Sequence, residues 1–336
     1  MKRRLSLLLL AMLIMAMLSA CGSAGGAEDG EGSGEITEKI DWIISVGENE
    51  DYYMSQYMKQ WMDKVSEKTD GMVTGQIFYG AQIGGGAEMF DILEMGNAHV
   101  YIDGEASPCS VNKAYDVFAL PYLFDSKEHQ YNFWGTYFEE ATDWLAEESG
   151  IRIVGHVDGL NRETTMRYPV EDLAGFKNVK IRVPAVDYQI KTWEAFGTAP
   201  IPIGFYEVYT AIHTGVVDGQ ENDIALSRSA GFTEVAPYLI MTDHLHYEGA
   251  IFFDEAYYQS LPQELKDIMR EASDEIYEDS KEYCKTLEAD TLAELEAEGV
   301  TVIRPDLTEF KEAVKPLYDE ATHCQYILDL IDKARI

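Results

Sequence analysis

The stretch FKNVKIRVPAVDYQIKTWEAFGTAPIPIGFYEVYTAIHTGVVDGQEND, residues 176–223, decides the fold. It reads as strand, helix, short apolar strand, helix and a turn containing Gly. Val179, Ile181 and Val183 alternate with Lys180 and Arg182, which is the period of a strand. Pro184 has no N–H to give to a ladder and closes that strand. Ile190, Trp193 and Phe196 then recur at helical spacing, and Gly197 ends the helix. Arg182 therefore stands at the C-terminal end of a strand, beside a helix start. In an open α/β sheet, ligands bind at that end.

The alternation continues on both sides of this stretch. Residues 40–46, 72–78, 99–102 and 151–157 read as strands. Met54, Tyr57, Met58, Trp61, Met62 and Val65 mark one face of a helix, and so do Tyr131, Trp134, Phe138, Ala141 and Leu145. GAQIGGG, residues 80–86, is a tight turn into a helix over 87–95; the Lys-Ser/Thr that a P-loop needs does not follow it. Residues 114–124 are apolar and broken by Pro, as in a loop packed on the core. Residues 240–253 are strand-rich, Leu261-Pro262 opens a long charged helix toward Gly299, and 300–303 is a short strand. Asp306 is expected to cap the next helix, with Glu309 as its capping-box partner. Strands alternating with helices mean a mostly parallel sheet covered by helices.

A length of 336 residues suits two domains, and 46% hydrophobic content is enough for a sizeable core. With 26 basic against 60 acidic residues, the formal charge is −34. Such a surface repels nucleic acid and anionic lipid, so neither is expected as a partner. It also repels anionic solutes, so an anion site has to be a local cluster of Arg. Lys2, Arg3 and Arg4 precede an apolar run over 7–17, the pattern of a targeting segment. Leu18-Ser19-Ala20-Cys21 follows and looks like a bacterial lipobox. Residues 1–20 are then a lipoprotein signal peptide and Cys21 is the lipidated residue; the run is short for a membrane span. Residues 21–35 are small, polar and acidic, a flexible tether. The expected location is extracytoplasmic, in the periplasm or on the outer face, lipid-anchored to the bacterial cell membrane.

Cys109, Cys284 and Cys324 are an odd set; a Cys284–Cys324 bridge and three buried thiols are both open. His244 and His246 share one face of a strand, but two His with no further ligand do not make a metal site. No metal and no cofactor is expected. GxSxG and HExxH are absent, and no nucleophile stands out, so an enzyme is not expected. Arg162 and Arg182 are the sharpest signal, two cations at strand ends in an acidic chain. A planar guanidinium grips a carboxylate with two parallel bonds. The alternative is a structural ion pair with one of the many acids, and spacing alone leaves both open.

FALPYLF at 118–124, KIRVP at 180–184, GFYEVYTAIHTGVVDGQEN at 204–222, and the region from MTDHL at 241 to SLPQEL at 260–265 occur in a telling order. Together they resemble the solute-binding proteins of TRAP transporters, the C4-dicarboxylate-binding (DctP) type, from about Ile36 to the C-terminus. The resemblance implies an α/β, two-lobe periplasmic-binding-protein-like fold, type II-like, with a mostly parallel sheet in each lobe and a long hinge-spanning helix. The lobes are expected at 36–158 plus 248–287, and at 159–247 plus 288–336. The implied function is capture of a small organic acid, a sugar acid (uronate) or dicarboxylate, for a sodium-coupled TRAP permease.

By the same resemblance, Arg182 of KIRVP matches the carboxylate clamp and Arg162 of NRETT the second Arg. Asn222 of DGQEN matches the amide on that carboxylate, and Phe205 the aromatic lining the pocket. First-lobe contacts are expected at Glu48, Asn49, Gly86, Asp103 and Glu105. Three features depart from the family pattern. The approach GFKNVKIRVP is about two residues longer than usual, Asp223 stands where Pro is common, and the first-lobe loops are richer in Gly and acid. The rival readings are a binding lipoprotein for an ABC importer or a sensor, and a glycan-degrading enzyme tethered by Cys21.

Overall fold

A computed structural model describes residues 34–335; the leader, Cys21 and most of the tether lie outside the described residues. The strands are β1 (Ile40–Val46), β2 (Val73–Phe78), β3 (Val100–Gly104), β4 (Ile151–Asp158), β5 (Arg162–Met166), β6 (Lys180–Val183), β7 (Ala199–Pro202), β8 (Gly219–Asp223), β9 (Tyr238–Leu245), β10 (Glu248–Asp254) and β11 (Thr301–Ile303). The α-helices are α1 (Tyr53–Lys68), α2 (Ala87–Glu94), α3 (Lys127–Ser149), α4 (Asp187–Ala195), α5 (Val208–His213), α6 (Ile224–Ser229), α7 (Phe232–Val235), α8 (Glu255–Ser260), α9 (Gln263–Ala297), α10 (Thr308–Glu320) and α11 (Gln325–Lys333). None of the helices among the described residues is long and apolar enough to cross a membrane.

Two mixed sheets frame the molecule, in strand orders β2-β1-β3-β10-β4 and β11-β9-β5-β8-β6-β7. β1 runs parallel to β2 and β3, β6 to β7 and β8, and β9 to β11. β10 and β5 run antiparallel to both of their neighbours. These two reversed strands follow the crossings between the sheets, at residues 159–161 and 246–247. A chain that leaves one sheet and runs straight on enters the other against the grain, which makes each α/β lobe mixed.

The 35-residue helix α9 lies along β4, packs on α1 and reaches α6 beside the second sheet. Close approach makes this possible. A Cβ built on Gly155 of β4 would stand 2.2 Å from Ser273 Oγ of α9. Ser273 Oγ accepts from Trp61 Nε1 at 2.9 Å, and Ser280 Oγ accepts from the Asp158 N–H at 2.9 Å. The apolar stripe of α1 is buried as its spacing predicts, with Trp61 stacked on Trp42 at 5.8 Å.

Three details differ from or complete the sequence reading. The apolar segment after residue 113 is not an open loop: Lys113–Ala119 forms a buried 3-10 helix, whose Ala114 N–H is capped by Asn112 Oδ1. The capping box at Asp306 does not form. Asp306 Oδ1 accepts from both N and Oγ1 of Thr308, which puts Asp306 one residue before the cap position, held by Leu307, and leaves Glu309 nothing to reach back to. Cys109, Cys284 and Cys324 are free thiols; Cys284 Sγ donates to the Asp158 carbonyl at 3.4 Å, and Cys324 Sγ to that of Lys113 at 3.8 Å.

The second sheet carries a buried ion pair. Arg162 on β5 donates Nε to Glu221 Oε2 at 2.6 Å and Nη2 to Oε1 at 2.9 Å, across to β8. His244 on β9 puts Nε2 3.2 Å from the same Oε2. Burial opposes charge on Glu221, but Arg162 and the His244 bond prevail and hold its carboxyl down to about 2.

Two stability predictions follow from these contacts. Gly155→Ala forces the long helix off β4 and should cost about 1–3 kcal/mol in urea unfolding; an unchanged midpoint would show that α9 is free to give way. Glu221→Gln leaves Arg162 buried without its counter-charge, and should cost about 3–5 kcal/mol. The pH dependence has a definite sign. A carboxyl depressed from 4.5 to about 2 contributes stability that is complete above 4.5 and is lost as pH falls toward 2. Acid unfolding of the parent should show this component and Glu221→Gln should lack it; parallel curves would contradict the pairing.

Candidate functional site

A cleft of about 790 Å³ lies between the sheets. Arg182 reaches it from the end of β6. There Pro184 ends the ladder and α4 begins three residues later, so the side chain turns into the space above the sheet. Arg182 is 4% exposed, and its Nε donates to the Ile203 carbonyl at 2.8 Å. Arg152, Arg162 and Arg182 are the buried arginines among the described residues, and Arg182 is the one that meets no carboxylate. Burial pulls its guanidinium down to about 10, with Glu221 opposing and the like charge of Arg162 adding to the fall. It remains a cation at neutral pH, with both terminal nitrogens uncommitted.

Arg162 also lines the cleft, yet its fork is taken by Glu221. Burial works against its charge and Glu221 more than offsets that, so its pKa is raised. Its Nη2 also donates to the Glu221 carbonyl at 3.0 Å, which leaves Nη1 for any further partner. For Arg162 the structural ion pair is what the fold contains. Asn222 is 4% exposed on the cleft wall, with Nδ2 donating to Gln220 Oε1 at 2.6 Å. Gln220 is fixed in turn by Thr165 and Ser227. Phe205 sits edge-on to Phe232 at 5.6 Å and lines the same wall.

On the first-lobe side the cleft meets Glu48, Gly86, Asp103 and Glu105. Burial, with Asp103 close by, pushes the Glu48 carboxyl up to about 8 against the opposing bond from its own backbone N–H. Asp103 accepts from Tyr101 and Ser107 on Oδ2 and from the adjacent Gly104 N–H on Oδ1. Gly86 has φ of 60° and ψ of −139°, a conformation that suits glycine, and its N–H goes to Tyr101 Oη at 3.0 Å. Asn49 is the predicted residue that does not line the cleft. Its carbonyl accepts the Tyr52 N–H at 3.1 Å in the turn into α1, which rotates its exposed side chain toward Gly80.

Several participants escape a reading of spacing. Tyr247, in the crossing 246–247, lines the cleft and carries the Arg162 guanidinium over its ring at 5.4 Å. Tyr206 of the second lobe donates to the Gly47 carbonyl of the first across the cleft. Tyr52 donates to Asp223 Oδ2 at 2.5 Å, while Asp223 Oδ1 caps α6 through the Leu226 N–H. Asp223 thus joins the lobes and starts a helix. Glu221 lies inside the DGQEN motif, opposite Thr164 on β5 and so on the same sheet face as Arg162 two residues along.

Residues 44–323 match the family described as bacterial extracellular solute-binding protein, family 7 (DctP). The sialic acid-binding periplasmic protein SiaP of Vibrio cholerae is 29% identical over 305 residues, 90% of this chain and 91% of its own. A TRAP periplasmic solute-binding protein from Roseobacter denitrificans, solved with bound β-D-glucuronate, superposes with a TM-score of 0.81 at 25% identity, over 87% of this chain and 98% of its own. One from Sulfitobacter sp. NAS-14.1 with bound β-D-galacturonate gives 0.80 at 27% identity, with coverage of 87% and 98%. On sequence and fold together, this chain belongs to family 7 of the bacterial extracellular solute-binding proteins, the DctP family.

Proposed function

We propose that the cleft captures a sugar acid with one carboxylate, of the uronate class, and delivers it to a sodium-coupled TRAP permease. The observation that carries this reading is Arg182, a buried guanidinium with free terminal nitrogens and no internal counter-ion. A ligand carboxylate supplies that counter-ion through two parallel bonds. Asn222 and the remaining Nη1 of Arg162 stand on the same wall, and Phe205 offers an apolar face to a sugar ring. The opposite wall separates sugar acids from dicarboxylates. There a second carboxylate would face Asp103, whereas hydroxyls can donate to the oxygens of Asp103 and Glu48. The relatives solved with glucuronate and galacturonate support the same class. Cys21 is proposed as the lipid anchor that holds the protein outside the cytoplasm near its permease.

Calorimetry of the purified protein should show saturable binding of glucuronate or galacturonate and little of succinate. Tighter binding of the dicarboxylate would reverse the assignment of the first-lobe wall. Arg182→Ala should cost about 2–5 kcal/mol, on the order of thirty- to several-thousand-fold in Kd. Arg182→Lys keeps the charge, loses the fork and should also bind poorly. Asn222→Ala should cost about 1–3 kcal/mol. If either Arg182 variant binds within about threefold of the parent, well under the loss expected for a buried pair, the clamp is elsewhere. For the anchor, Cys21→Ser should move the protein from the membrane to the soluble fraction on fractionation of cells; retention as firm as the parent's would rule out lipidation at Cys21.

A further inference from the structure

Three buried side chains meet on one face of the first sheet, behind the cleft. Glu105 follows β3, Glu248 begins β10 and His156 lies on β4. The Glu105 N–H donates to the Glu248 carbonyl at 3.0 Å, which sets those two residues opposite each other. Ala250, two residues along β10 and so on the same face as Glu248, is paired with His156. Its methyl leaves room where a larger side chain would fill the space. Glu105, His156 and Glu248 are 2%, 3% and 0% exposed. Glu105 Oε2, His156 Nε2 and Glu248 Oε2 have no hydrogen-bond partner among the described residues. One ligand atom from each lies within 4.8 Å of the others.

We propose that Glu105, His156 and Glu248 form a site for one divalent first-row transition-metal ion. Buried polar atoms in folded proteins are paired; the Trp134 indole N–H lies beside Glu105 and the His156 ring, but one N–H serves only one of the three acceptors. A proton shared by the two carboxyls joins two of the atoms; a cation joins all three. The nearby cations are already committed. Lys127 Nζ donates to Asp158, to the Gly159 carbonyl and to that of Tyr247, and Arg270 pairs with Glu139 and Asp274 over the Phe138 ring. Two carboxylates and a neutral imidazole balance a dication. Metal–donor bonds of about 2.0–2.2 Å place ligands about 3–4 Å apart, so the side chains have to close in by about 1 Å.

The surroundings support these ligands as a metal site requires. Tyr277 of α9 donates to Glu248 Oε1 at 2.6 Å, which orients the carboxylate and leaves Oε2 pointing inward. The His156 ring is held between Trp134 at 4.0 Å and Tyr277 at 6.1 Å. Glu105 also lines the cleft, which gives an ion its way in. The imidazole suits zinc and the two carboxylates also suit manganese, whereas magnesium and calcium take oxygen ligands.

The test uses the purified full chain, stripped with a chelator, then titrated with Zn2+, Mn2+ or Mg2+ alone. Bound metal is measured by equilibrium dialysis with elemental analysis, and melting temperature is followed in parallel. One equivalent of Zn2+ or Mn2+ is expected, with a raised melting temperature and no response to Mg2+. His156→Gln and Glu248→Gln should each weaken binding at least tenfold, and Tyr277→Phe by about 10–100-fold. A parent that binds no stoichiometric ion would show a shared proton or buried water at the cluster and overturns the site. So does binding unchanged in folded His156→Gln or, where that variant does not fold, unchanged in Tyr277→Phe.

Discussion

The Arg182 guanidinium is a buried cation in an acidic chain, and no carboxylate among the described residues pairs with it. The acid that could have reached it is Glu221, two strand positions from Arg162 across the β5–β8 ladder. That acid is saturated: Arg162 grips both of its oxygens and His244 approaches one. The Arg162–Glu221 pair is therefore what keeps Arg182 unpaired. It removes the nearest anion from competition and adds a like charge behind the free guanidinium. An unpaired buried charge costs several kcal/mol unless a partner arrives. The open side of Arg182 is the cleft it lines.

Holding that arrangement open between two lobes demands a stiff frame on one side and controlled contact across the gap. The stiffness comes from α9 lying against β4 at Gly155, with hydroxyls of Ser273 and Ser280 pinning the helix. Apolar clusters run from one lobe into the other, and two polar contacts cross the cleft itself. Tyr52 reaches Asp223, and Tyr206 reaches the Gly47 carbonyl. Hydrogen bonds of this kind exchange with water at little net free energy.

The parts of this structure carried by local chemistry were legible in the sequence. The strand alternation around Arg182, the helix stripe of α1 and the turn at Gly84–Gly86 depend on neighbours in the chain, and each sits where its spacing predicts. The reversed strands β5 and β10 were not legible, because strand direction is fixed by the crossings between sheets. Asn49 was placed one residue too far along: the wall ends at Glu48, and the turn into α1 sends the next side chain outward. The fate of Arg162 depended on register, since only pairing in the sheet shows that Glu221 meets it first. Asp223, where the family pattern has Pro, is explained by two bonds, one to Tyr52 from the other lobe and one at the start of α6.

A net charge of −34 and a site for anions are in tension only at long range. Surface charge is screened over about 8–10 Å in physiological salt, so the acidic exterior acts on an approaching solute weakly and without regard to its shape. The decision is made inside the cleft, where solvent is scarce and each unpaired group weighs more. There the two walls differ in kind. The second-lobe wall offers a guanidinium whose terminal nitrogens have no partner among the described residues, and the first-lobe wall offers Asp103 beside a Glu48 carboxyl that burial pushes up to about 8. A solute with one carboxylate and a hydroxyl-bearing body satisfies both walls at once. One with a second anionic end satisfies the first guanidinium and then meets acid. Specificity here comes as much from what the acidic wall refuses as from what Arg182 attracts.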